Sequence, residues 1–74
     1  MSKALLDKAV KAAQLYQGSM GTPIRVQQKL YGRMQKAIGA VAKEYGAPEI
    51  SVFDQVTERA RILQPIHPMP GKDY

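Results

Sequence analysis

The chain has no cysteine and a single histidine, His67, so neither disulfides nor a Cys/His zinc site can brace it. No apolar run approaches the roughly 20 residues a membrane-spanning helix needs. The opening MSKALLDKAVKAA interrupts its apolar residues with Lys and Asp, unlike the unbroken apolar core of a signal peptide. A cytoplasmic protein without a membrane span is therefore expected. Catalytic signatures are missing too: there is no HExxH, no phosphate-binding Gly-rich loop and no Ser in a nucleophile elbow. The serines, Ser2, Ser19 and Ser51, fall at helix starts or in a link. His67 stands between prolines with no second ligand nearby, which suits a surface or packing residue better than a catalyst. The sequence reads as non-enzymatic, with no cofactor and no metal.

What is present is a short, basic chain. Its 74 residues make one domain with a small core, and domains of this size often need reinforcement from a second copy or a partner. A homodimer or a subunit of a larger assembly is expected, of the phage or plasmid type that such small chains suggest. Eleven Lys and Arg against six Asp and Glu give a net charge of +5, which favours an anionic partner: nucleic acid, an anionic membrane surface or an acidic protein.

The charge is concentrated between Thr22 and Gly46, TPIRVQQKLYGRMQKAIGAVAKEYG. At 100° per residue, Ile24, Val26, Leu30, Tyr31, Met34, Ala37, Ile38, Val41, Ala42 and Tyr45 gather on one half of a helical wheel, with Gln27 the one polar intruder. The other half carries Arg25, Lys29, Arg33, Lys36 and Lys43, offset only by Glu44. One face is built to bury and the other to attract anions. Lys29, Lys36 and Lys43 recur at seven residues, as do Gly32, Gly39 and Gly46, a spacing compatible with a packed seam. Gly32 and Gly39 lie on the basic face, each costing about 1 kcal/mol relative to Ala in a helix. They serve either a close backbone approach or nothing at all. Tyr31 and Tyr45 fall on the apolar stripe and read as core rather than as base-stacking residues.

Residues 2–17 form a first helix, with Ser2 as its cap and Leu5, Leu6, Ala9, Val10, Ala13 and Tyr16 along one side. The small residues on that side predict a close approach to a neighbour, and the lack of Trp or Phe there argues against a membrane-surface helix. Gly18 ends it, and residues 18–22 make a flexible link. At Thr22 two courses are open. Thr22 and Pro23 are a good cap and first-turn pair for a helix over 23–45. Alternatively residues 22–27 form a short strand, with Ile24 and Val26 inward, and the helix runs over 28–45. Gly46 and Pro48 close it. Ser51 and Asp54 approximate a capping box for a third helix over 51–63, buried through Val52, Phe53, Val56, Ala60 and Leu63. Glu49, Asp54 and Glu58 near its start and Arg59 and Arg61 near its end suit the helix dipole. Ile62 points away from that face. The tail, QPIHPMPGKDY, is kept extended by Pro65, Pro68 and Pro70. The expected organisation is a mainly α domain over residues 1–64 and an extended arm over 65–74 that grips a dimer mate or another protein. Ile62, Ile66, Met69 and Tyr74 are its partner-binding residues.

The order IRVQQKLYGRMQKA, AKEYG, ISVFDQVTERARIL resembles the ribbon-helix-helix DNA-binding domains. There a strand, a helix, a glycine turn and a second helix follow one another, and two chains pair their strands into a ribbon that enters the major groove. The resemblance implies a dimeric DNA-binding regulator in which Arg25 and Gln27 read bases. It also implies a shared core of Ile24, Val26, Leu30, Met34, Val52, Phe53, Val56 and Ala60. From the charge pattern, Lys29, Arg33, Lys36 and Lys43 would meet phosphates. The alternative is a non-catalytic protein-binding or assembly subunit that docks through its helix face and C-terminal arm. An anionic-membrane or RNA binder rests on charge alone.

Overall fold

The computed structural model describes residues 3–69. It contains three helices: α1 (Lys3–Gln17), α2 (Ile24–Tyr45) and α3 (Glu49–Leu63). No strand occurs among the described residues. α1 packs against both of the others, and the contact between α2 and α3 is lighter. The first helix has the expected span where it is described; Ser2, its expected cap, lies outside the described residues.

The core sits where the periodicity placed it, except that Leu63, expected on the buried face of the third helix, ends α3 exposed. Ala9, Val10 and Ala13 of α1 meet Met34, Ile38, Val41 and Ala42 of α2 and Val52, Val56 and Ala60 of α3. Ala9 and Ala13 are fully buried, so the short side chains of α1 allow the other two helices to close on it, as expected. Leu30, Met34, Ile38 and Val56 are the largest fully buried side chains, each contributing about 1.5–3 kcal/mol of hydrophobic stabilisation.

At Thr22 the chain takes the helical course, starting at Ile24, and the strand over residues 22–27 is not formed. The carbonyl of Pro23 accepts hydrogen bonds from the N–H groups of Val26 (3.0 Å) and Gln27 (3.2 Å). In a ribbon strand one of these two adjacent N–H groups would face the partner chain; here both close the first turn of α2. The alternation fails as well: Ile24 is 68% exposed and Val26 only half-buried. Pro23 takes the cap position, and no side chain caps the helix. The Thr22 hydroxyl donates to the Ser19 carbonyl instead (2.6 Å).

The link before α2 is an organised turn rather than a flexible one. Ser19 is buried and donates its hydroxyl to the Tyr16 carbonyl (2.6 Å). The Gln27 amide reaches back to the carbonyls of Ser19 (3.3 Å) and Thr22 (3.0 Å). At the other end of α2, Gly46 adopts a left-handed conformation, φ 64°, and Ala47 N–H donates to the Ala42 carbonyl (3.0 Å), as the glycine stop predicts. α3 begins at Glu49, two residues before the expected start. Pro48 occupies its cap position with an extended backbone, so Ser51 falls inside the first turn and the Ser51/Asp54 box does not form. Tyr31 and Tyr45 are 40% and 43% exposed, at the rim of the core rather than inside it. The Tyr31 ring sits 5.1 Å from that of Tyr16.

The described part of the tail returns to its own chain. Gln64 leaves α3 with φ 81°, and Ile66 N–H donates to the Gln14 carbonyl (3.0 Å). The Gln14 amide donates to the Gln64 carbonyl (2.9 Å). His67 Nδ1 lies 3.1 Å from the Gly18 carbonyl oxygen, and Pro68 is buried. This crossing accounts for Gly18. A Cβ there would lie 2.1 Å from the Ile66 carbonyl oxygen and 2.5 Å from its carbon. Of the two courses open for Gly32 and Gly39, no close backbone approach within the chain occurs: a Cβ on Gly32 meets nothing within 4 Å, and one on Gly39 meets only the Glu49 carboxylate, at 3.1 Å.

Candidate binding site: a basic groove between α1 and α2

Arg25, Lys29, Arg33, Lys36 and Lys43 all project from the exposed side of α2. From Arg25 to Lys43 the rise is about 27 Å at 1.5 Å per residue. None of the carboxylates of the described residues lies within ion-pair distance of Arg25, Lys36 or Lys43.

The middle of this stripe borders a groove that two helices build together. On α1, Leu5, Lys8, Ala12 and Leu15 follow one another at helical spacing, with Lys11 beside them; on α2 the lining is Leu30, Arg33, Lys36, Ala37 and Ala40. The groove has a volume of about 460 Å³. Its floor is aliphatic, its banks carry Lys8 and Lys11 on one side and Arg33 and Lys36 on the other, and its lining contains no acid. Of the five acids among the described residues, three are on α3, where Arg61 donates to both carboxylate oxygens of Glu58 (2.8 and 2.6 Å). That hydrogen bond and the charge of Glu58 raise the Arg61 pKa. The pair is solvent-exposed and of little consequence for stability.

The structure therefore separates the expected site residues. Arg33 and Lys36 line the groove; Arg25, Lys29 and Lys43 belong to the stripe but not to the lining. Gln27 stands apart from them, its amide occupied by the 19–22 turn. Ile62 and Met69 are exposed and Ile66 is 37% exposed. Tyr74 lies outside the described residues. Lys8 and Lys11 were missed as site residues. The signal for them was Ala12 and Leu15, apolar positions off the main stripe of α1 that mark a second, shallower apolar edge. A smaller notch of about 290 Å³ lies between Tyr16, Ile24, Gln27, Gln28 and Tyr31. Among the described residues no group of three His, Asp or Glu side chains converges as a metal site requires, and no helix is long and apolar enough to cross a membrane.

No family model matches the chain, and neither a curated protein nor a solved structure matches it.

Proposed function

We propose that this protein is a non-catalytic binding subunit that docks on a larger, negatively charged partner through its α1–α2 face. The observation that carries the reading is the groove: four cations drawn from two helices flank an aliphatic floor with no acid in the lining. A solvated basic face needs no such floor, whereas a docking surface combines an apolar centre with a charged rim. The helical course at Thr22 weighs in the same direction, because residues 22–27, which the base-reading ribbon would need as its strand, do not form one. The exposed side chains of Ile62 and Met69 offer further apolar contacts to a large complex.

A second reading, binding to duplex DNA, is favoured by the length of the stripe, since Arg25, Lys29 and Lys43 extend it beyond the groove. On this reading the contacts are to phosphates, with Gln27 held by the 19–22 turn.

Retention on an immobilised polyanion tests the common premise. The double variant Lys8→Glu/Lys36→Glu should elute at clearly lower salt than the parent, and a control with the same charge change on α3, Arg59→Glu/Arg61→Glu, should elute much nearer to it. Equal shifts would mean that the anion is attracted by net charge and not by this face.

A further inference from the structure

The groove's two ingredients constrain its occupant more narrowly than charge does. A phosphate backbone would satisfy Lys8, Lys11 and Lys36 but leave the aliphatic floor in water. An uncharged apolar segment would cover the floor and leave Lys8, Lys11 and Lys36 without complement. An occupant matching both is apolar along one side and acidic along its flanks.

The shape adds a second constraint. The lining runs from Leu5 to Leu15 on α1 and from Leu30 to Ala40 on α2, in each case a rise of about 15 Å, or three helical turns. This is a trough along two neighbouring helices, the geometry in which another helix packs ridge into groove. Ala12, Ala37 and Ala40 in its lining leave room for a close backbone approach. α3 lies against the buried side of the same helices, so a helix seated here would complete a four-helix arrangement with α1 and α2 in the middle.

We infer that the α1–α2 groove is the seat of one acidic amphipathic helix from a different protein, about three turns long, with aliphatic side chains on the floor and Glu or Asp facing the lysines of both banks, Lys8, Lys11 and Lys36. The inference rests on the anionic-partner reading above and specifies the partner's chemistry. A second copy of this chain is disfavoured as the occupant by charge: two molecules of net charge +5 repel, and the acidic α3 also carries Arg59 and Arg61.

The test uses the full chain and a labelled synthetic peptide of about 14 residues, long enough for three turns, with Leu on one face and Glu on both flanks. Binding is followed by fluorescence anisotropy. Comparison probes are a polyglutamate peptide of equal length, the same amphipathic peptide with Lys in place of Glu, and a duplex of mixed sequence. The Leu/Glu peptide should bind best and become helical on binding. Ala40→Trp, which fills the trough from an exposed position, should weaken it about tenfold or more, roughly the loss of one good apolar contact plus a steric clash. Lys8→Glu/Lys36→Glu should weaken it by at least about tenfold at low salt through like-charge juxtaposition. Arg59→Glu on α3 should leave it unchanged. Ala40→Glu, a helix-compatible change at the same exposed site, serves if the Trp variant fails to fold.

Equal binding of polyglutamate, or duplex binding that Ala40→Trp leaves untouched, overturns the helix seat while the anionic-partner reading survives. Binding of none of the acidic probes at low salt overturns both. A dimer in sedimentation that Lys8→Glu/Lys36→Glu dissociates would assign the groove to a second copy and overturn the inference.

Discussion

Gly18→Ala is the substitution that asks most of the fold. The added methyl would lie 2.1 Å from the Ile66 carbonyl oxygen, 2.5 Å from its carbon and 3.0 Å from His67 N. All three are backbone atoms, so no rotamer change relieves the clash and the tail must lift from α1. Lifting removes the Ile66 to Gln14 and Gln14 to Gln64 hydrogen bonds, each worth about 0.5–1.5 kcal/mol net, and exposes Pro68. Freeing the segment returns about 1 kcal/mol or more of conformational entropy per residue. The net docking energy is therefore modest, and it caps the cost of the substitution, because the tail can always detach. Alanine also restricts the unfolded chain, a gain of about 0.4–1 kcal/mol. The balance is a loss of about 1 kcal/mol in the full chain, or about 4–8 °C in Tm for a domain of this size. In a chain ending at Gln64, which has no tail to displace, the same substitution should be stabilising by about 0.4–1 kcal/mol. Urea and thermal unfolding followed by circular dichroism on the four proteins gives the coupling, and amide exchange at Ile66 reports the tail directly. The same effect in both backgrounds, or an Ile66 amide exchanging freely in the parent, would refute the docked tail.

Glycine substitutions elsewhere should have opposite signs. Gly32→Ala, facing open space on α2, should stabilise by about 1 kcal/mol, whereas Gly46→Ala, at φ 64°, should destabilise by about 1 kcal/mol; chemical denaturation of both checks the pair. Gln27→Ala should cost about 1 kcal/mol by removing the amide that ties α2 to the 19–22 turn and leaving the Thr22 carbonyl short of a donor. Because its amide serves the turn, the salt dependence of anion binding should not change.

The separation of α2 into a buried and a cationic side followed from the order of its residues, because at 100° per residue a regular helix leaves little freedom over which side chains share a face. The same periodicity identified Ala9, Ala13, Met34, Ile38, Val52, Val56 and Ala60 as buried, and the Gly46 stop is a local backbone property that needs no tertiary context. The course at Thr22 was different. Ile24 and Val26 satisfy a strand and a helix alike, and the choice turned on the Pro23 carbonyl taking the Val26 and Gln27 N–H groups and on Gln27 folding back to the 19–22 turn. Nor could the sequence place Lys8 and Lys11 opposite Arg33 and Lys36, or Gly18 beneath Ile66. Each pairing joins residues far apart along the chain, and their distance is set by how closely α1 approaches its neighbours. Helical periodicity fixes the angle of a side chain about its own axis; only packing fixes which other helix it faces.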